Sequence, residues 1–176
     1  KAAADMIVNV YNRQFDLPAI IIRSTNVYGA RQQLFKVIPK TILSIKRGQK
    51  LLLHGGGVAI KSYIHIRDIS IGELNILENG NIGEKYHLSP DNGVAIHDIV
   101  RIIAHKMGKT FDDVVEHVAE RPGQDSVYII DSTKARAQLG WRPTIDLDDG
   151  LVEVIKWIEK NWSEIKILPD EYQHQP

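Results

Sequence analysis

The chain contains no cysteine, which excludes a disulfide framework and any thiolate metal site. An excess of one charge is missing too. Among 176 residues, 22 Lys and Arg face 22 Asp and Glu, so nothing in the balance calls for nucleic acid or an anionic membrane as partner. The longest apolar run, Pro18 to Ile22, is far too short to span a bilayer. Aromatics are sparse at 7%, but 43% of residues are apolar and 25% charged, which is the composition of a globular fold with a sizeable core. There is no initiating Met. The opening Lys1-Ala2-Ala3-Ala4-Asp5 reads as the inside of a helix, without the apolar stretch of a secretory leader. The expectation is therefore an incomplete fragment of a cytoplasmic protein.

Standard chemical signatures are also absent: the residues hold no G-x-G-x-x-G, phosphate loop, H-E-x-x-H or G-x-S-x-G. The acidic stretch Asp146-Leu147-Asp148-Asp149-Gly150 has its Gly fifth rather than sixth and no Glu at the twelfth position, so it reads as helix capping and not a calcium loop. Seven His are scattered without ligand spacing, and no metal is expected.

What is present is an α/β rhythm. Ala3, Ala4, Ile7, Val8, Tyr11 and Phe15 recur at helical steps, and Ala19 to Ile22 reads as a strand buried on both faces of a parallel sheet. Phe35 to Lys46 predicts a helix with Pro39 in its first turn, closed by Gly48. Leu51 to Leu53 and Ile60 to Ile66 flank Gly55-Gly56-Gly57. In the second run Ile60, Ser62, Ile64 and Ile66 alternate with a polar, basic face of Lys61, Tyr63, His65 and Arg67. Further helices are expected near Asp68–Glu78, Ile96–Met107, Ser132–Leu139 and Leu151–Trp162, and strands near Lys85–Leu88, Val114–Val118 and Val127–Ile130. Either Asp131 or Ser132 caps the Ser132–Leu139 helix. The tail after Pro169 reads as loosely held.

Three segments suggest chemistry. Arg23-Ser24-Thr25-Asn26-Val27-Tyr28-Gly29 follows a strand at the end where α/β sheets bind ligands. The Lys61/Tyr63/His65/Arg67 face is basic, and Arg121-Pro122-Gly123-Gln124-Asp125 presents a guanidinium that can fork onto a phosphate. Their bland alternatives are an ordinary turn, a solvated strand face and a surface ion pair.

Taken in order with Phe35-Lys36-Val37-Ile38-Pro39, Tyr63-Ile64-His65-Ile66-Arg67-Asp68 and Leu139-Gly140-Trp141-Arg142-Pro143, these pieces resemble the C-terminal half of the extended short-chain dehydrogenase/reductases. This is the NAD-dependent epimerase/dehydratase family, and the pattern is most similar to its dTDP-glucose 4,6-dehydratases. The resemblance implies an α/β chain that supplies the C-terminal part of a Rossmann-like NAD(P)-binding fold and a small α/β substrate lobe. Residues 1–33 would close the dinucleotide-binding sheet, 34–168 would form the nucleotide-sugar lobe with strands returning to that sheet, and 169–176 would be a tail.

The resemblance also implies roles. Lys1 would be the last residue of Tyr-x-x-x-Lys, catalytic through its effect on the phenol's pKa and cofactor-binding through a nicotinamide ribose. Ser24 and Val27 would pass the nicotinamide and Asn26 would bind substrate. Lys36 and Val37 would lie over the nucleotide sugar, with Leu52 and His54 at the base. Lys61, Asn92 and Arg121 would make phosphate and nucleotide contacts, and Tyr172-Gln173 matches a C-terminal Tyr-Gln. Lys61 stands where these enzymes usually have Arg, His54 where they have Tyr, and Gln124 where they have His. The implied activity of the intact protein is a nucleotide-sugar 4,6-dehydration: C4 oxidation by NAD, water loss across C5 and C6, and hydride return to C6. The protein would be a homodimer through a helix bundle that includes the first helix, and the fragment alone would be inactive. A 4-epimerase of the same family and a non-catalytic nucleotide-sugar-binding module are the alternatives.

Overall fold

The computed structural model describes residues 1–172. Helix α1 (Ala2–Phe15) stops at Asp16, which takes a left-handed conformation. It is followed by β1 (Ile21–Ser24) and β2 (Asn26–Tyr28). Helix α2 (Val37–Arg47) tolerates Pro39 because the first-turn amide has no helical acceptor to lose. Its last carbonyls are met by Gly48 N–H on Ile45 O and Gln49 N–H on Ser44 O. Then come β3 (Leu51–His54), a glycine turn, β4 (Ile60–Lys61), β5 (Tyr63–His65) and α3 (Ile66–Asn79). The chain continues through β6 (Lys85–Leu88), β7 (Val94–Ala95), α4 (Ile96–Lys106), α5 (Phe111–Val114), β8 (Val115–Val118) and β9 (Val127–Tyr128). It ends with α6 (Thr133–Leu139), α7 (Leu147–Lys160) and α8 (Trp162–Ile165).

Parallel pairing dominates: β1 runs beside β6, β2 beside β5, β3 beside β8 and β4 beside β9, with only β4 and β7 antiparallel. Parallel neighbours need crossovers, and the intervening helices supply the cover such sheets require. One core packs Ile64, Ile69, Ile76, Tyr86, Leu88 and Trp141 between β5, β6 and α3. A second joins Ile38, Ile42, Ile99, Ile103, Leu151 and Ile158 from α2, α4 and α7, and a third sits under β3 and β8.

Asp68 is buried at 2% exposure, and its carboxylate accepts Thr144 N–H, Thr144 Oγ1–H and Ile145 N–H at 3.0, 2.9 and 3.1 Å. Trp141 Nε1–H donates to the Asp68 carbonyl. Together these bonds pin the loop before α7 to the start of α3.

Several expectations change. The run Ile60–Arg67 is not one alternating strand, because the chain leaves the β4 sheet at Ser62, joins β2 through β5 and turns helical at Ile66. Ser62 is held there by its N–H on Tyr128 O and its Oγ–H on Asn92 O, while its carbonyl accepts from Asn26 N–H. His65 is consequently buried, and Ile60 and Ile66 are exposed. The strand expected at Ala19–Ile22 lies two residues later and is half-buried, with Arg23 exposed. Helix α7 starts at Leu147, so Asp148 and Asp149 sit inside its first turn, where they favour the helix dipole. Asp131 Oδ1 accepts Thr133 N–H at the start of α6, whereas Ser132 Oγ–H turns to Ser89 O. Of the described residues after Pro169, Asp170 pairs with Arg47 and Glu171 with Lys40.

Candidate functional site

Thr25 after β1, the first residues of β2, the start of α2, strand β3 and the loop before β9 line three adjoining compartments of a groove. Its first compartment, about 370 Å³, lies among Phe35, Val37, Leu52, His54 and Tyr172. Ile96, Arg121 and Gln124 are shared with a second compartment of about 410 Å³, which adds Lys61 and Asn26. Asn26 and Tyr63 are shared in turn with a third of about 280 Å³, walled by Thr25, Val27, Gln32 and Lys36. Val37 faces both the first and the third, so the groove bends around the N-terminal end of α2.

Local structure explains each placement. Gly55 has φ +54°, and a Cβ there would enter the Glu120 carboxylate. Glycine thus lets the Ala119–Arg121 segment fold over the end of β3. Glu120 Oε1 then accepts Arg121 N–H, and His54 Nδ1 meets Ala119 O at 3.0 Å. A carbonyl oxygen only accepts, so Nδ1 carries the hydrogen of that bond. Lys61 reaches the groove through period-two geometry. Its Nζ donates to Asp125 O at 2.8 Å and lies 5.8 Å from the Tyr128 ring centre. The Arg121 guanidinium forms no ion pair among the described residues. Asn26 Nδ2–H donates to Ser62 O at 3.1 Å, which leaves Oδ1 for a ligand. Gln32 Nε2–H is tied to Val27 O at 2.7 Å.

The chemistry grades along the groove. The first compartment is the most apolar. The second carries Lys61 and Arg121, two cations suited to a diphosphate. The third is neutral and amide-lined apart from Lys36, whose Nζ lies 5.1 Å from the centre of the Phe35 ring. Tyr63 stands between the last two, and burial pushes its phenol up to about 12. Such a phenol stays protonated and donates a hydrogen bond rather than acting as a base.

Of the residues singled out in the sequence, Asn26, Val27, Lys36, Val37, Leu52, His54, Lys61, Arg121 and Tyr172 all line this groove. Ser24 ends β1 without lining a compartment. Lys1 is exposed and lines none of them, but it lies one turn before Asp5, whose carboxylate pairs with Arg23 beside Ser24. Asn92 falls outside the groove, in a separate cavity of about 360 Å³ with His65 and Asp68. Gln173 lies outside the described residues. Phe35, Lys40, Tyr63 and Gln32 line the groove without having been assigned to it. Tyr63 was findable, since it shares the Lys61 face at a spacing of two.

Beyond α2 and the groove, His65 is buried against the Tyr28 ring, edge on at 5.3 Å. Its Nδ1 accepts Arg67 N–H and its Nε2 is 3.6 Å from Glu153. Burial lowers its pKa despite Glu153 and Asp68, with Arg67 acting in the same direction as burial. Burial also raises the Tyr28 phenol, helped by Asp68, Glu153, Asp146 and Asp149.

The protein family described as GDP-mannose 4,6 dehydratase matches residues 1–154. A dTDP-glucose 4,6-dehydratase of Streptomyces niveus is 33% identical over 178 residues, covering 100% of this chain and 53% of that protein. The Arabidopsis thaliana trifunctional UDP-glucose 4,6-dehydratase RHM2 is 33% identical over 96% of this chain and 26% of its own length. Among solved structures, the Streptomyces venezuelae dTDP-glucose 4,6-dehydratase DesIV, with NAD bound, superposes with a TM-score of 0.88 at 30% identity, over 93% of this chain and 50% of that one. The chain therefore spans about half the length, or less, of these relatives.

Proposed function

The chain belongs to the GDP-mannose 4,6 dehydratase family, and from that premise we propose that it is the nucleotide-sugar-binding half of an NAD-dependent 4,6-dehydratase acting on a nucleoside-diphosphate hexose. The observation that carries this reading is the graded groove: an apolar end for the nucleoside, Lys61 and Arg121 in the middle for two phosphates, and Asn26 with Tyr63 at the sugar end.

The residues divide the work. Arg121 forks onto phosphate oxygens, and Lys61 neutralises charge without forking. Asn26 Oδ1 and the protonated Tyr63 hydroxyl orient sugar hydroxyls. Val37 and Val27 exclude water from the far compartment. Ser24, Val27 and Lys1 face the cofactor side. The wall of Thr25, Asn26 and Val27 at the carboxyl end of β1 supports a nicotinamide edge there. NAD, when bound, supplies reversible hydride acceptance. Residues 1–33 with β6 serve the cofactor sheet, and 34–168 serve the substrate. The reading extends to a cytoplasmic homodimer, and the apolar side chains Met6, Ile7, Val10 and Tyr11 that α1 turns outward support the dimer.

The test is mass spectrometry of the full-length protein with NAD and dTDP-glucose or UDP-glucose. A product lighter by one water supports the dehydratase. A product of unchanged mass but altered retention identifies a 4-epimerase, and tight binding without turnover identifies a binding module.

A further inference from the structure

We propose that Arg47, which lines no part of the groove, is a positioning residue for it: Arg47 clamps the C-terminal strap so that Glu171 and Tyr172 stand as one wall of the apolar compartment. The proposal rests on the assignment of that compartment to the nucleoside.

Arg47 is the last residue of α2, and its guanidinium gathers three oxygens of one segment. Its Nη2–H donates to Lys166 O at 3.3 Å and Leu168 O at 3.1 Å, while Nη1 pairs with Asp170 Oδ2 at 3.0 Å. Both side chains of that pair are about four-fifths shielded, at 19% and 20% exposure. Shielding makes the pair stronger than an open surface contact and makes its loss costly. A planar fork can serve three acceptors at once, whereas a lysine ammonium on a flexible stem cannot hold the same geometry.

From that anchor the strap follows α2 backwards. Lys40 lies seven residues before Arg47, two turns away on the same helical face, and its Nζ meets Glu171 Oε1 at 2.7 Å. Phe35, just before the helix, receives the Tyr172 ring nearly perpendicular at 5.2 Å. Phe35, Lys40, Glu171 and Tyr172 all line the 370 Å³ compartment. The Lys40 pair is weak by itself, because Glu171 is 78% exposed. The Arg47 clamp is therefore what keeps the wall ordered before ligand arrives. Without it, the entropy of ordering the strap falls on the binding step.

The test is calorimetry on the full-length protein with dTDP, UDP and inorganic pyrophosphate as separate probes. Arg47→Ala should weaken dTDP and UDP about tenfold, the scale of losing one aromatic contact to a base. Pyrophosphate, which needs only Lys61 and Arg121, should change by less than about twofold. Arg47→Lys should recover part of the loss through Asp170 alone. Asp170→Asn, which leaves α2 untouched, should reproduce the split, and Arg47→Ala/Tyr172→Ala should be no weaker than Tyr172→Ala. Unchanged dTDP and UDP affinities in Arg47→Ala and Asp170→Asn, or an equal loss for pyrophosphate, would overturn the clamp and leave the groove assignment standing. Failure of the unaltered protein to bind dTDP or UDP would overturn both.

Discussion

Helices α1 and α7 are each 14 residues long and each carries an apolar stripe, yet they end in opposite situations. Helix α7 buries Leu151, Val154, Ile155 and Ile158 against α2 and α4, whereas α1 has no buried residue at all. Polar ties hold α1 instead: Asp5 to Arg23, and Asn12 Nδ2–H to Leu17 O and Ala19 O. Periodicity identifies which face of a helix is apolar and says nothing about what that face will meet. On the proposed function, the outward face of α1 belongs to contacts between subunits.

The sharpest way to break this comparison is to truncate both stripes. Leu151→Ala should cost about 3 kcal/mol, as a fully buried leucine does, while Ile7→Ala should stay within about 0.5 kcal/mol; urea unfolding of the two variants measures the difference. A comparable cost for Ile7→Ala would mean that the α1 face is covered in solution, and its dependence on protein concentration would tell a second subunit from the same chain. The polar ties differ in the same sense. Asp68→Ala should cost about 2 kcal/mol, since it strands Thr144 and Ile145 donors in a buried site, whereas Asp5→Ala should barely register by the same assay.

At the groove, Arg121→Ala should weaken dTDP or UDP binding by about tenfold or more in calorimetry, the value of a charged hydrogen bond. Unchanged affinity would remove Arg121 from the phosphate site. Val10→Glu in α1 should reduce the mass seen by light scattering from dimer to monomer and remove the concentration dependence of the melting temperature. A dimer that survives it would place the subunit contact elsewhere.

The smallest effect concerns pH. The fold keeps His65 neutral below its ordinary pKa of 6.5, so the unfolded chain takes up the proton first as pH falls. The His65 contribution is thus complete above about 6.5 and is lost as the pH drops below it. His65→Asn, which keeps a cap for Arg67 N–H, should flatten the fall in melting temperature between neutral and mildly acidic buffer. An unaltered slope would show that other groups carry it.

Much of this arrangement was legible in the sequence. The alternation of strands and helices, Pro39 in a first turn and Gly48 as a terminator follow from local chemistry, whereas the approach of Asn26, Lys61 and Arg121 follows from the family resemblance. The run Ile60–Arg67 misled because its spacing of two is real on either side of Ser62, while the change of sheet depends on Tyr128 and Asn92, which are distant in sequence. The strap was illegible for a similar reason. Asp170 and Glu171 look like an ordinary polar tail until Arg47 and Lys40 are seen on one face of a helix more than a hundred residues earlier. Asn92 fits its motif but is separated from the groove by Tyr63, a geometry that spacing does not encode.

Ser62 has a mechanical consequence. Its N–H, hydroxyl and carbonyl each hold a different strand or loop: Tyr128 beside the Lys61 cation, Asn92 beyond Tyr63, and both the backbone and the side chain of Asn26 at the sugar end. Three walls that are far apart along the chain therefore share one pivot with no slack, since a fully buried residue has no room to trade one bond for another. A substitution that removes the Ser62 hydroxyl therefore acts on the frame that Asn26 and Lys61 share.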